Sequence, residues 1–150
     1  MDIAPEGASG RLRALPTRLI GQVAILANRA TEKALADTGS RRYHYALLAT
    51  LDENGPLSQA EVGRRTGIDR SDVVAAVNDL ADRGFLLRAP NPSDRRQNIL
   101  TLTAAGRAHL RDLDDRLEAA QAELLPGFTA AERANLVLTL TRVLESHARD

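Results

Sequence analysis

Two long stretches near the ends of the chain carry apolar residues at every third or fourth position. Residues 11–37 hold one such stripe, formed by Leu12, Leu15, Leu19, Val23, Leu26 and Ala30. Residues 108–148 hold two more, formed by Leu110, Leu113, Leu117, Ala120 and Leu124, and by Leu136, Leu140 and Leu144. This spacing puts the apolar side chains on one face of a helix, so it predicts long amphipathic helices at both ends.

Several residues mark where these helices begin and end. Residues 1–10 contain Pro5, Gly7 and Gly10 and predict a loose arm. Pro16 fits a helix only in its first turn or at a kink. The pair Pro126-Gly127 separates the last two helices, and a capping box, Thr129-x-x-Glu132, begins the final one.

Shorter elements fill the middle of the chain. Residues 41–52 predict a helix that turns Ala46, Leu47 and Leu51 inward and ends at Asn54-Gly55-Pro56. A second capping box, Ser58-x-x-Glu61, begins a short helix that reaches about Thr66. Gly67 then permits a tight turn. The segment therefore reads as helix, short helix and turn.

A third helix follows the turn, with Asp69 as its predicted cap. Its buried stripe is Val73, Val77 and Leu80, and its outer face comprises Arg70, Ser71, Asp72, Val74, Ala75, Asn78 and Asp82. Residues 85–88 and 98–102 then read as two short strands, and residues 89–97 connect them as a wing. Thr103 is the predicted cap of the next long helix. The order of elements predicts a mainly α (α+β) fold, a winged helix-turn-helix flanked by long helices.

The distribution of charge supports a surface for nucleic acid, although the net charge is zero. Residues 83–107 contain Arg83, Arg88, Arg95, Arg96 and Arg107 against a single acidic residue, Asp94. Positive charge is therefore concentrated where a wing would meet phosphate.

Side chains on the third helix and on the wing are the candidates for contact with double-stranded DNA. The predicted DNA-binding residues are Ser58, Gln59, Arg70, Ser71, Asp72, Ala75, Asn78, Arg95 and Arg96. One wing arginine suits the minor groove and the other a phosphate, while Asp94 pairs with an arginine and fixes the loop. Asp72 either accepts from cytosine N4 or caps the helix at its third position, and the rules for helix starts favour capping.

Five segments of the chain resemble the MarR family of bacterial transcriptional regulators. They are Leu57-Ser-Gln-Ala-Glu61, Gly67-Ile-Asp-Arg-Ser71, Leu80-Ala-Asp-Arg-Gly-Phe-Leu-Leu-Arg88, Asp94-Arg-Arg96 and Leu102-Thr-Ala-Ala-Gly106. The resemblance implies a homodimer that binds a palindromic operator, usually as a repressor, with wing arginines in the minor groove. It also implies that a small molecule, often an aromatic or phenolic anion, releases the DNA. Asp72 departs from the small or hydroxylated residue usual in the family.

These observations predict one MarR-like domain, residues 1–150, with a DNA-binding lobe at 41–107 and a helical dimerisation region at 11–37 and 108–148. The long apolar stripes exceed what the small lobe can cover, so a second copy of the chain is their expected cover. Arg42, Tyr43 and His44 begin a helix near the junction of the two regions. They suit an aromatic carboxylate, or they serve packing and hydrogen bonding at the helix start.

Other functions find less support in the sequence. His44, His109 and His147 lie on separate segments without H-E-x-x-H spacing, and G-x-S-x-G and phosphate-loop motifs are absent, so we predict no enzyme, metal site or cofactor. The chain has no cysteine, no apolar run of membrane length and no secretory pattern at residues 1–10, which favours the cytoplasm and no membrane partner.

The alternative is a winged-helix module for protein interaction, suggested by the zero net charge and by Asp72, Asp79 and Asp82.

Overall fold

The computed structural model describes residues 9–148, so most of the predicted N-terminal arm lies outside the described residues. Three helices, α1 (Gly10–Arg13), α2 (Pro16–Leu35) and α3 (Arg42–Asn54), precede a short strand, β1 (Leu57–Ser58). Helices α4 (Gln59–Thr66) and α5 (Arg70–Asp82) follow, then strands β2 (Leu86–Asn91) and β3 (Asp94–Leu102). Two long helices, α6 (Ala104–Leu124) and α7 (Ala130–His147), complete the described chain.

The first predicted helix is divided in two, which corrects the expectation of one helix over residues 11–37. Pro16 occupies the first turn of α2, and Leu15 before it has an extended backbone. A proline ring clashes with a helical conformation of the preceding residue, so the helix cannot continue through Leu15. The α2 helix ends at Leu35, four residues before Gly39, whose φ of 72° completes the turn.

Local capping explains where the elements of the middle segment begin. Ser58 Oγ accepts a hydrogen bond of 3.1 Å from the Glu61 amide, so half of the predicted capping box is present. The Glu61 carboxylate binds Arg64 and Arg65 instead of returning to the Ser58 backbone. Gly67 ends α4 in the left-handed conformation, with φ 68°.

The predicted cap of the following helix is only partly right. Asp69 stands at the N-cap position of α5, but its side chain accepts no hydrogen bond there. The backbone of Asp69 still contributes, because its carbonyl accepts from the Val73 amide at 2.9 Å.

The wing belongs to an antiparallel sheet of three strands in the order β1-β3-β2. The sequence analysis missed β1, whose Leu57 lies opposite Leu100 of β3. Both wing strands are also longer than predicted, and the turn between them is confined to Pro92 and Ser93. Arg95 and Arg96 therefore lie at the beginning of β3, immediately after the tip rather than within a long loop.

One apolar core joins α3, α4, α5, the sheet and the first half of α6. Its most buried large side chains include Leu47, Leu48, Leu51, Leu80, Leu86, Leu100 and Leu113. Gly106 lets α6 approach the end of α5 closely, because a Cβ at this position would collide with the Phe85 carbonyl oxygen. The predicted inward stripe of α6 is buried or half-buried, and Leu117 packs against the core.

Helix α7 lacks such cover within the chain. None of its eighteen described residues is buried, and Leu144 is 72% exposed. The expected inward stripe is thus not buried by this chain: Leu136 is half-buried, and Leu140 and Leu144 are exposed. Within residues 9–148, no helix combines the length and apolar character needed to cross a bilayer.

Candidate functional site

Helix α5 presents three different faces. Val73, Ala76, Val77 and Leu80 point into the core. Asp72 and Asp79 line a cavity that α5 shares with α2 and α3. Ser71, Val74 and Asn78 are exposed on the outward face, which is the face a helix would insert into a DNA groove. A single helix therefore contacts the core, the cavity and the solvent on three different faces.

Arg88 links the outward face of α5 to the wing. Its Nη1 donates a hydrogen bond to Oδ1 of Asn78, so strand β2 lies alongside the outward stripe. This contact places the wing and the exposed face of α5 on one side of the molecule. The sequence analysis identified Asn78 but did not identify Arg88 as its partner, because ten positions separate them.

The turn of the wing is held by Asp94, as predicted. Its carboxylate accepts from the backbone amide and from Nε of Arg96, both at 3.1 Å. These hydrogen bonds lower the pKa of Asp94 below its ordinary value, because they favour the charged carboxylate. Arg95 is exposed and the side chain of Arg96 is 91% exposed, so both guanidinium groups are open to a phosphate or a groove.

At the start of α4, two predicted DNA-binding residues are half-buried. Ser58 uses its hydroxyl as the helix cap, and Oε1 of Gln59 is buried without a hydrogen-bond partner among residues 9–148. The exposed cations of this helix are Arg64 and Arg65, which the sequence analysis did not select.

Both arginines of α4 bind Glu61, and their hydrogen bonds lower the pKa of its carboxyl to about 2. Arg65 also donates to Asn54 at 2.7 Å, which ties α4 to the end of α3.

The cavity beside α5 has a volume of about 1180 Å³ and lies between α2, α3 and the segment at residues 39–41. The three residues predicted to bind a ligand, Arg42, Tyr43 and His44, all line it. The Arg42 guanidinium lies 5.1 Å from the centre of the Tyr43 ring. Asp72 and Ala75, predicted to contact DNA, also border this cavity. The cavity therefore offers cationic, acidic and aromatic groups together.

Asp79 connects the cavity to the end of α5. Its Oδ2 accepts from Nε2 of His44 and from Nη1 of Arg83, each at 3.1 Å. His44 Nδ1 in turn accepts from the Arg41 amide at 2.8 Å, so the neutral ring has both nitrogens satisfied. Burial lowers the pKa of His44, and the nearby Arg83 charge acts in the same direction against the opposing effect of Asp79.

Arg83 anchors the end of α5 to the segment between α2 and α3. Its guanidinium donates to the Thr38 carbonyl at 2.9 Å, and to the Gly39 carbonyl and the Ser40 hydroxyl, each at 3.0 Å. The same group lies 4.8 Å from the centre of the Phe85 ring. Arg83 thus fixes the position of the helix end relative to one wall of the cavity.

Ser40 extends this network to α6. Its buried hydroxyl lies 2.7 Å from Nε2 of His109, whose ring stacks on Phe85 with centroids 4.2 Å apart. Burial, together with the charge of Arg83, lowers the pKa of His109. No periodicity signals this network, because its partners lie 43 and 69 positions apart in the chain. The described residues contain no group of three or more metal-ligating side chains.

Comparison with known proteins gives consistent matches. The sequence profile of the MarR family matches residues 38–97. The HTH-type transcriptional repressor NicR of Pseudomonas putida is 32% identical over 105 residues, which cover 68% of this chain and 65% of NicR. The uncharacterised HTH-type transcriptional regulator YcgE of Bacillus subtilis is 32% identical over 82 residues, 55% of this chain and 53% of YcgE. The chain thus spans about half to two thirds of the length of these curated relatives.

Solved structures extend the similarity over most of the chain. The PcaV transcriptional regulator of Streptomyces coelicolor, in complex with its natural ligand, has a TM-score of 0.77 and 27% identity, covering 95% of this chain and 99% of PcaV. The transcriptional repressor CouR, bound to a 23-mer DNA duplex, has a TM-score of 0.79 and 25% identity, covering 93% of this chain and 99% of CouR.

Proposed function

Because the chain belongs to the MarR family of winged helix-turn-helix regulators, we propose that it is a sequence-specific, homodimeric DNA-binding transcriptional regulator, a repressor on a pseudo-palindromic operator. The observation that carries the proposal is the contact between Arg88 and Asn78. It puts the outward face of α5 beside the wing, so that one surface can meet a major groove and the adjacent backbone together.

The residues that contact DNA in this proposal come from helices α4 and α5 and from the three strands. They are Ser58, Gln59, Arg70, Ser71, Asp72, Ala75, Asn78, Arg95 and Arg96, and we add Arg64, Arg65 and Arg88 because they are exposed cations near them in the chain or in space. Residues 41–107 form the DNA-binding lobe, and residues 11–37 and 108–148 form the dimerisation region of a single domain. We further propose that the protein acts in the cytoplasm and is not an enzyme.

The dimer accounts for apolar surface that the single chain leaves open. Side chains of α2 and α7 that are at least two fifths exposed include Leu19, Ile20, Val23, Leu138, Leu140 and Leu144. Monomeric proteins rarely expose such contiguous apolar stripes, and a two-fold axis would pair these stripes with their copies. The two α5 helices would then reach successive major grooves, about 34–36 Å apart or a multiple of that distance.

The cavity beside α5 is the proposed site of a small aromatic or anionic effector. Arg42, Tyr43 and His44 supply the positive charge and the ring that such a ligand needs. PcaV, which has a similar fold, was solved in complex with its natural ligand. An occupant would touch Asp72 and Ala75, so it would act directly on the helix that reads DNA.

Fluorescence anisotropy on the DNA upstream of the protein's own gene tests the proposal. Scrambled DNA is the control, and a salt series reports the number of phosphate contacts. We expect two chains to bind each site, with an affinity at least about 10³-fold higher than for scrambled DNA. Equal, weak binding to both DNAs, followed by failure to select any sequence from a random pool, would overturn it and favour a protein-interaction module.

A further inference from the structure

Val74 and Asn78 lie one helical turn apart on the outward face of α5 and offer different chemistry. Val74 is 39% exposed, so its methyl groups are accessible on this face. Residues four positions apart on a helix have Cβ atoms about 5–6 Å from each other. An apolar contact and a polar group are therefore presented side by side to whatever meets this face.

Arg88 determines which atom of Asn78 remains available. A guanidinium carries donors only, so the atom of Asn78 that it binds is the amide oxygen. The usual contact of asparagine with adenine needs the oxygen and the nitrogen together. With Oδ1 engaged by Arg88, Asn78 offers its Nδ2 donor.

Among the base edges of the major groove, thymine matches a donor beside an apolar group. It presents the O4 acceptor and the C5 methyl group, whereas guanine presents acceptors without a methyl group. We infer that α5 reads a thymine in each operator half-site, with Asn78 Nδ2 on O4 and the Val74 methyl groups on the C5 methyl of that base or its neighbour. Arg88 is the positioning residue for Asn78. The inference rests on the proposed binding of DNA.

Replacing thymine by uracil tests the apolar half of this inference, since uracil lacks only the methyl group. The operator is first selected from random-sequence DNA with the full chain, and its half-site thymines are then replaced. We expect affinity to fall about fourfold per half-site, the effect of one buried methyl group, and about fifteenfold for both. Uracil at thymines outside the half-sites is the matched DNA control and should leave affinity unchanged.

Two variants of Val74 assign the effect to that side chain. Val74→Ala should bind the thymine operator about as weakly as the unmodified protein binds the uracil operator, and uracil should then have little further effect. Val74→Ile keeps the methyl contact and should keep the sensitivity to uracil. Circular dichroism of both variants checks that α5 remains folded.

Variants of Arg88 test the polar half through base preference rather than overall affinity. Arg88→Ala frees the amide of Asn78 and should raise acceptance of adenine at the thymine position. Arg88→Lys keeps a donor and should retain the preference for thymine. A change in affinity that is equal for all bases would show only a phosphate contact and would overturn the positioning role.

The outcomes separate this inference from the proposed function. Failure to enrich any sequence would overturn the regulator itself, and this inference with it. Two outcomes would overturn the inference alone and leave the DNA-binding function intact. One is selection of half-sites that have no thymine facing α5. The other is that uracil lowers the affinity of Val74→Ala as much as that of the unmodified protein.

Discussion

The DNA-binding lobe and α7 contrast in how much of their apolar surface the chain itself buries. In the lobe, Leu47, Leu48 and Val77 are completely buried by neighbouring elements. In α7, Val137 and Leu138 remain 63% and 67% exposed. Both regions have the apolar spacing of amphipathic helices, so the spacing alone does not distinguish them. The apolar residues of the lobe are therefore covered within one chain, whereas those of α7 are left for the proposed second chain.

Truncation of a side chain in the lobe core should have the strongest effect on stability. Leu48→Ala removes a fully buried side chain, and we expect the free energy of unfolding to fall by about 2–5 kcal/mol. Urea denaturation measures it. Leu87→Ala, at a position 62% exposed on β2, is the control and should cost less than about 1 kcal/mol. Equal decreases in the two variants would mean that the lobe core does not provide the stability.

A charge in α7 should separate the chains without unfolding the lobe. For Leu140→Glu we expect the dissociation constant of the dimer to rise about 100-fold or more, because an unpaired carboxylate would be buried at the interface. Sedimentation velocity and circular dichroism report assembly and folding separately. Leu117→Glu should instead unfold the chain, since Leu117 packs against the core. A dimer of normal strength in Leu140→Glu contradicts the assignment of this face.

The wing arginines should affect DNA binding and leave both folding and dimerisation unchanged. Arg95→Ala is expected to reduce the salt-dependence slope of binding by about 0.9 for each phosphate that is no longer neutralised, hence by about 1.8 per dimer. Arg96→Ala should do the same and also release Asp94. The control is Arg111→Ala, which removes an exposed arginine from α6. If slopes measured by anisotropy are the same in all three variants, the wing does not contact DNA.

A weaker effect concerns pH and the network at the junction of the two regions. Unfolded histidine has a pKa of about 6.5, and the pKa values of His44 and His109 are lowered in the folded chain. The unfolded state therefore binds more protons below that pH, so their contribution to stability is present above pH 6.5 and disappears as the pH falls through the lowered values.

Urea denaturation at several pH values checks this decline. The charges facing His44 are Asp79, Arg83 and Arg41. The titratable and charged groups facing His109 are Arg83, Asp112, His44 and Arg116. His44→Gln and His109→Gln should each flatten the decline between pH 7 and 5. If the free energy of unfolding declines as steeply in both variants as in the unmodified protein, the decline comes from carboxylates elsewhere.

Features that depend on neighbouring residues were predictable from the sequence. Ser58, Thr103 and Thr129 cap helices as expected, because each hydroxyl accepts from the amide three positions later. Asp69 is the exception, since its side chain accepts no such hydrogen bond. The buried stripe of α5 was likewise confirmed by Val73, Val77 and Leu80.

Features that depend on distant partners were not predictable. Strand β1 is only two residues long and exists through its pairing with β3. The network of Ser40, Arg83 and His109 requires three segments to meet, and no local pattern encodes that meeting. For α7, periodicity indicates that one face is apolar, but it does not indicate what covers that face.

The three faces of α5 bear on how such a protein diversifies. Residues that border the cavity, such as Asp79, alternate along the helix with residues on the outward face, such as Ser71 and Val74. Under the proposed function, single substitutions would therefore alter the response to a small molecule while leaving the choice of DNA sequence intact, or the reverse. After gene duplication, two copies could acquire different chemical signals yet keep a common set of promoters, since the proposed effector and DNA contacts lie on one helix and share only Asp72 and Ala75 among its side chains.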